Sequence, residues 1–346
     1  LDPVDAFHFP SIAISALLLW LLYLFAARYI GRVAALFSLL MLAGFPRFWG
    51  DMHFNPKDVP VAALSAFTIF AYLAWFQKPT LPKAVGVGLV FTAALATKAN
   101  AAFVPVILLL GVLPWRLDQS AWLETLRHFR QRIGHYILMG ISSVGAYFAV
   151  WPYLHRDPSR VVDYFRYIAS QGERDGGTGI NLQPLRMALA TMPETMLLFL
   201  LIGIIVLIIS ISLRKDQSIW RRVLLTWLFI PIFRISLPGM VNFDGIRHFL
   251  EFLPAAALIA GLGAAALVDW LSARLPGRRR LITTIAAGLI IVNISYIFIT
   301  FHPFEHLYFN RFVGGINGAA EKFEASETSD YWAVSYRQGV RWLNDN

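Results

Sequence analysis

Residues 195–213 read TMLLFLLIGIIVLIISISL, nineteen positions without an Asp, Glu, Lys or Arg. As a helix rising 1.5 Å per residue this run covers about 28 Å, close to the roughly 30 Å hydrocarbon thickness of a bilayer. It is followed at once by Arg214 and Lys215, the kind of residue that marks a membrane surface. The stretch therefore reads as a transmembrane helix.

Outward from this run the same pattern repeats, and hydropathy predicts ten spans at about 11–27, 33–49, 59–76, 84–97, 100–114, 136–152, 195–213, 223–238, 249–271 and 282–300. The 346-residue composition agrees, with 57% hydrophobic, 14% aromatic and 15% charged residues and a mean hydropathy of +0.58. Soluble domains carry about 45–50% apolar and 25% charged residues. An ordinary cytosolic enzyme is excluded, and the expected fold is all-α, a polytopic transmembrane helical bundle over 1–300. The absence of cysteine removes disulfides, thiolate metal sites and thiol nucleophiles.

The net charge of +9 would point to nucleic acid in a soluble protein. Here it sorts across the bilayer, and no nucleic-acid partner is expected. With alternating spans, the connectors 28–32, 77–83, 115–135, 214–222 and 272–281 share one side and hold 16 of the 30 Lys and Arg. By the positive-inside rule that side is cytoplasmic. The segments 46–58, 153–194, 239–248 and 301–346 then face outward and carry most of the His, Asp, Glu and Tyr. Within 115–135, Trp122, Leu123, Leu126 and Phe129 against Arg127, Arg130 and Arg132 suggest an interfacial amphipathic helix. The aromatic residues of 301–346, among them Tyr308, Phe309, Phe312, Tyr331, Trp332, Tyr336 and Trp342, suit a layer returning to the membrane surface and closing the outward cavity.

Candidate chemistry collects in the outward segments. The loop 46–58, PRFWGDMHFNPKD, packs Arg47, Asp51, His53, Asn55, Lys57 and Asp58 between two spans, more polar groups than helix capping requires. Asp58 stands where a helix N-terminus favours a carboxylate, and Lys57 beside it makes a phosphate cradle. Lys98 closes a span at the same side; snorkelling to the interface is its plainer reading, anion binding the alternative. The segment 242–249, NFDGIRHF, adds Asp244, Arg247 and His248. Arg247 has a fork suited to phosphate, with pairing to Asp244 or Glu251 as the structural alternative. Arg234, inside an apolar stretch, needs a partner or a water-filled cavity. His302 to His306 spells H-x-x-E-H, but Pro303 and the lack of a further ligand argue against a zinc hydrolase. A secondary transporter or lipid flippase would instead gather charge at the bilayer midplane.

The loop PRFWGDMHFNPKDVP, the segment FDGIRHFLEFLP and the C-terminal HPFEHLYFNRFVGG and DYWAVSYRQGVRWLN together resemble a bacterial branch of the GT-C glycosyltransferases, related to the protein O-mannosyltransferases and the lipid A aminoarabinose transferases. The resemblance is weakest in 153–194. It implies an inverting transferase of the bacterial plasma membrane that moves a sugar from a polyprenyl-phosphate donor to a protein or lipid acceptor at the extracytoplasmic face. It further implies Asp58 and His53 in catalysis, with Asp51, Asn55, Lys57, Lys98, Asp244, Arg247, His248 and Tyr308 around the substrates. A divalent metal held by Asp58 stays open. The family's acidic pair in the first outward loop has no counterpart, since the chain contains no Asp-Asp, Asp-Glu or Asp-x-Asp; Asp2 and Asp5 read equally well as helix caps. The resemblance therefore implies truncation, with one span and the catalytic loop preceding Leu1. Without that loop a non-catalytic membrane subunit is the competing reading.

Overall fold

A computed structural model of the chain describes residues 3–115, 119–175, 177–213 and 218–346. Asp2 and the connector charges Arg214, Lys215 and Asp216 lie outside the described residues. Among the described residues there is no strand, and each of the ten apolar stretches is helical. In chain order the helices are α1 Pro3–Tyr29, α2 Arg32–Ala43, α3 Pro46–Phe54, α4 Asp58–Gln77, α5 Leu81–Thr97, α6 Val104–Val112, α7 Gln119–Gln131, α8 Ile133–Val150, α9 Arg160–Asp175, α10 Gln183–Thr191, α11 Glu194–Leu213, α12 Ile219–Ile235, α13 Leu253–Arg274, α14 Arg279–Phe301 and the short α15 Gly315–Ala320, α16 Ala325–Thr328 and α17 Tyr336–Asp345.

Among the described residues, six of the ten stretches are long and apolar enough to cross a membrane: those within α1, α4, α8, α11 and α14, and the run Arg247–Arg274 that contains α13. A seventh is added if α2 and α3 count as one span. The expected second span at 33–49 is not straight, because α2 stops at Gly44 and α3 leaves at a 60° bend. Pro46 is the cause on the sequence side: its ring fits the first turn of a new helix, where its missing N–H costs nothing, and its predecessor Phe45 is held extended. The bend turns α3 aside and leaves Asp51 and Arg47 buried against neighbouring elements rather than on a solvated loop.

The interior is packed through α2, α4, α12 and α13, whose facing side chains include the fully buried Trp75, Trp227, Phe37 and Leu258. Lipid is as apolar as leucine, so contact between such helices depends on close fit rather than on escape from water. The α11–α13 pair shows it: a Cβ on Gly203 would stand 1.9 Å from the Ile259 carbonyl oxygen, and one on Gly263 2.0 Å from that of Phe199.

The basic connectors converge at one end of the bundle. Arg28 donates to Gln77 at 3.2 Å, Trp75 to His135 at 3.1 Å, and Arg222 to the Gly111 carbonyl at 2.9 Å. Asp58 and Phe76 stand 18 residues apart on α4, so the opposite end lies about 27 Å away. There the ends of α4, α5, α12 and the turn before α13 meet, joined by Asn100 donating to the His248 carbonyl at 2.9 Å and Arg234 to the same oxygen at 2.8 Å. The C-terminal segment folds back onto α3 at this end, as its aromatic content suggests. Tyr308 and Phe309 are buried there, whereas Phe312, Tyr336 and Trp342 are exposed and do not join the layer.

Candidate active site at the Asp58 end

The turn Asn55-Pro56-Lys57-Asp58 is built around one side chain. Asn55 Oδ1 accepts the backbone N–H of Asp58 at 2.9 Å and that of Lys57 at 3.3 Å, satisfying donors that the start of α4 leaves free. Its Nδ2 donates to Asp58 Oδ2 at 3.0 Å. Asp58 is thereby fixed as the first residue of α4, fully buried, where the helix dipole favours negative charge. A buried carboxylate without partners would cost several kcal/mol. Two cations offset that cost: the Lys98 ammonium contacts Oδ1, and Arg247 Nη1 lies 3.7 Å from Oδ2.

Local backbone brings those cations in. Helix α5 ends at Thr97, and Lys98 is extended (φ −160°, ψ 138°) before the 3-10 turn Ala99–Phe103, which aims its side chain at α4 instead of along its own helix axis. Arg247 opens the 3-10 turn that leads into α13. Just before it, Asp244 and Gly245 take positive φ of 58° and 71°, and the tight turn lets Asp244 Oδ2 accept from Arg247 Nε at 3.0 Å. A side chain at Gly245 would be strained by this φ, and its Cβ, 2.4 Å from the Arg47 guanidinium, would displace that head.

The C-terminal segment roofs this cluster. Trp332 donates its indole N–H to Asp51 Oδ1 at 3.2 Å, and its ring centroid is 5.3 Å from the Arg247 guanidinium carbon, with Phe243 at 5.1 Å on the same cation. Glu327 accepts from the Gly245 N–H and, at 3.1 Å, from Gln183 of α10. Arg47 is fully buried; its Nε donates to the Tyr308 carbonyl at 3.3 Å and its head lies 4.5 Å from the Phe309 ring, while both terminal nitrogens lack hydrogen-bond partners. His306, also fully buried, is held by Asp330 at 2.9 Å.

Of the residues singled out in the sequence, Asp58, Asn55, Lys98, Arg247 and Asp244 share this cluster, and Asp51 borders it through Trp332. Lys98 does not snorkel; it is an ion-pair partner of Asp58. Arg247 pairs with Asp244, not with Glu251, which instead stands 3.9 Å from Arg234. Lys57 is exposed at the turn, beside the cluster rather than in it. His53 is half-buried with Nδ1 2.8 Å from the Trp49 carbonyl in its own helix. Tyr308 points elsewhere, its hydroxyl donating to Glu194 at 3.4 Å. His248 contributes its carbonyl to the frame, while its ring packs 4.5 Å from Phe243 with Nε2 buried and unpartnered. Trp332, Glu327 and the buried state of Arg47 carry no local sequence signal; the aromatic run around Tyr331 was their only trace.

The donor set around Asp58 does not fit a divalent ion. Lys98 and Arg247 occupy its two oxygens, and among the described residues no three His, Asp or Glu side chains gather as a cation requires. His302 to His306 forms no such group either, since His302 pairs with Glu305 at 2.8 Å and His306 with Asp330.

Residues 2–151 match the family model for dolichyl-phosphate-mannose-protein mannosyltransferases. No curated protein matches the chain significantly in sequence. Among solved structures, the fold is similar to ArnT from Cupriavidus metallidurans bound to undecaprenyl phosphate, at a TM-score of 0.55 and 15% identity over 85% of this chain and 57% of that one. It is also similar to the Archaeoglobus fulgidus oligosaccharyltransferase tethered to an acceptor peptide, at a TM-score of 0.52 and 12% identity over 99% of this chain and 46% of that one. The chain thus spans about half the length of these neighbours. The fold is thus similar to that of these two transferases, and the match to the mannosyltransferase family model is confined to residues 2–151.

Proposed function

We propose that the chain is a membrane glycosyltransferase that takes a sugar from a polyprenyl-phosphate carrier at the Asp58 end of the bundle and transfers it with inversion to a protein or lipid acceptor. The observation that carries the reading is the convergence of Lys98 and Arg247 on one buried carboxylate at a helix N-terminus. Support comes from the ArnT neighbour, solved with undecaprenyl phosphate. The charge sorting of the connectors supports an extracytoplasmic face for this end, in a bacterial plasma membrane.

The acceptor attacks the anomeric carbon as the bond from that carbon to the carrier phosphate breaks, and negative charge grows on the departing phosphate. Ammonium and guanidinium groups already oriented in a low-dielectric pocket stabilise that charge without reorganising. Lys98 and Arg247 have that placement, and Lys57 adds positive potential at the mouth. A carboxylate clamped by two cations is a weak base, so Asp58 acts by holding the cations in register until the phosphate displaces it. The acceptor's proton goes to Asp51, the carboxylate that borders the cluster with its Oδ2 free of any partner.

A photoreactive polyprenyl-phosphate analogue tests the reading in lipid nanodiscs. Labelling is expected on the peptides that carry Asp58, Lys98 or Arg247, with competition by polyprenyl phosphate and not by the uncharged polyprenol. Labelling confined to the opposite end, or equal competition by the alcohol, would overturn it.

A further inference from the structure

A second cavity system lies at the basic end of the bundle, away from the Asp58 site. A groove of about 470 Å³ runs between α4, α5, α6 and α8, lined by Tyr72, Val87, Leu108, Phe129, Met139 and Gly140 among others. It opens sideways to the surrounding lipid, because its liners Leu109 and Val144 are 48% and 59% exposed. One helical turn further along α4 and α6, at Phe76 and Val112, a more polar cleft of about 250 Å³ adjoins it, lined by Glu124, Thr125, His128 and Arg222.

The groove does not communicate with the Asp58 site. Val61, Ala94 and Ala101, each at most 1% exposed, pack together between Asp58 and the groove liner Thr68, with Leu64 and Leu95 closing around them. A chain lying in the groove therefore has its polar end at the cleft.

The cleft is built for an anion. Arg222 is 9% exposed, and Nε and Nη2 are committed to the carbonyls of Gly111 and Val112 at 2.9 and 3.4 Å. These bonds fix the guanidinium at the end of α6 as a lining group of the cleft. Arg132 reaches two of the cleft's liners, its guanidinium 5.8 Å from the Phe76 ring and 2.5 Å from His128 Nδ1. His128 stacks on Phe76 at 4.2 Å and is also 3.3 Å from the Tyr136 hydroxyl. Burial and then the Arg132 charge push its pKa down to about 4, so it adds no charge of its own. Glu124 is the acidic member of the lining and has its own interaction partner. Helix α7 brings Arg127 and Arg130 to the same face of the bundle.

We infer that this groove and cleft form a binding site for an anionic phospholipid of the leaflet at the basic end, one acyl chain in the groove and the phosphate between Arg222 and Arg132. Charge complementarity chooses the occupant: the apolar channel opens to lipid and ends near two guanidiniums with one acidic liner, Glu124, and a net negative headgroup neutralises the excess positive charge where a zwitterionic one, its phosphate offset by its own ammonium, does not. The site is separate from the proposed donor site and stands whether or not that reading holds.

Native mass spectrometry of the purified full chain, exchanged into phosphatidylglycerol or phosphatidylcholine of the same acyl length, is the test. Phosphatidylglycerol is expected to be retained about 25-fold more than phosphatidylcholine, since each of the two cations favours a net negative headgroup by about a factor of five. Arg132→Gln should remove most of that preference; it leaves the Arg222 contacts to α6 in place and so guards against misfolding as the explanation. Gly140→Leu should reduce retention of both lipids, because a Cβ there meets nothing within 4 Å and fills the groove without a clash. Equal retention of the two lipids overturns the inference, as does unchanged phosphatidylglycerol retention in Gly140→Leu. Displacement of phosphatidylglycerol by polyprenyl phosphate in the wild type but not in Gly140→Leu would assign the groove to the sugar carrier and overturn it as well.

Discussion

Trp332 and Asp51, 281 residues apart in sequence, meet at 3.2 Å across the roof of the proposed site. The bond ties the C-terminal segment to α3, and the same indole faces Arg247. One aromatic side chain thus couples the segment's docking to the placement of a phosphate-binding cation.

Replacement of Trp332 should separate those two effects. Trp332→Phe keeps a ring over Arg247 but leaves the buried Asp51 oxygen without its donor, at a cost of about 1 to 3 kcal/mol. Trp332→Ala loses the cation–π contact as well, for about 1 kcal/mol more. Thermal unfolding of the detergent-solubilised chain should rank wild type above Phe above Ala, and equal melting temperatures for all three would show that the contact is incidental.

Asn55 holds Asp58 through both ends of its amide. Asn55→Ala should destabilise the chain by about 1 kcal/mol through the lost cap and weaken carrier binding by more than that loss predicts, because Asp58 and its cations lose register. Asn55→Asp keeps the cap and adds repulsion against Asp58. If both variants bind the carrier as the wild type does, Asn55 is a cap and nothing more.

Much of this arrangement is legible before folding, and the remainder fails for identifiable reasons. The helices follow from runs such as 195–213, and the proximity of the 46–58 loop to Arg247 follows from their shared side. The bend at Gly44 to Pro46 escapes a hydropathy reading because the apolar character runs through it unbroken. Lys98 is misread as snorkelling because its partner lies 40 positions away, and only the extended backbone at Lys98 turns it inward. Arg47 counts in sequence only as one of six polar groups of the loop 46–58, and its burial under Phe309 and Tyr308 depends on a segment about 260 positions away. Local sequence reports which helices form and which side their loops share; it does not report which distant segment closes over them.

Acidification should loosen the C-terminal roof. Burial lowers the pKa of His306 despite the hydrogen bond and charge of Asp330, so the unfolded segment takes up a proton before the docked one does. Stability from this residue is complete above the ordinary imidazole value of about 6.5 and declines as pH falls from there toward the lowered docked value. Asp330 adds to the effect at lower pH. Burial raises its pKa, but hydrogen bonds from Ser335, Val334 and His306 outweigh that and hold it below the usual carboxylate range, so its contribution is lost below about 3.9. Glu327 opposes both, its carboxyl raised chiefly by burial, and regains stability on acidification. Trp332 fluorescence followed from pH 7.5 to 5.5 should report the imidazole-linked loosening in the wild type and not in His306→Gln; identical profiles would contradict it.

The buried pair Arg234 and Glu251, 7% and 5% exposed, makes a further separable test. Their separation is 3.9 Å, and neither Glu251 oxygen has a hydrogen-bond partner. Glu251→Leu strands a buried guanidinium and should cost about 3 to 5 kcal/mol, while the double variant with Arg234→Met should recover most of the loss. Equal destabilisation by the single and double variants would mean that the pair's surroundings, not its charges, set the cost.

The most direct measurement for the account is the affinity of polyprenyl phosphate for the chain in nanodiscs with each member of the central trio changed in turn. Arg247→Gln and Lys98→Gln should each weaken binding by about 2 to 3 kcal/mol, or roughly 30- to 160-fold, since each removes a charge-assisted contact in a desolvated site. Asp58→Asn should lose much less affinity than either cation variant, because it removes the carboxylate that competes with the phosphate while its amide oxygen still holds Lys98 in register. Cation variants that bind the carrier as well as the wild type, or an Asp58→Asn variant that loses as much affinity as they do, would contradict the assignment of this cluster to the donor phosphate.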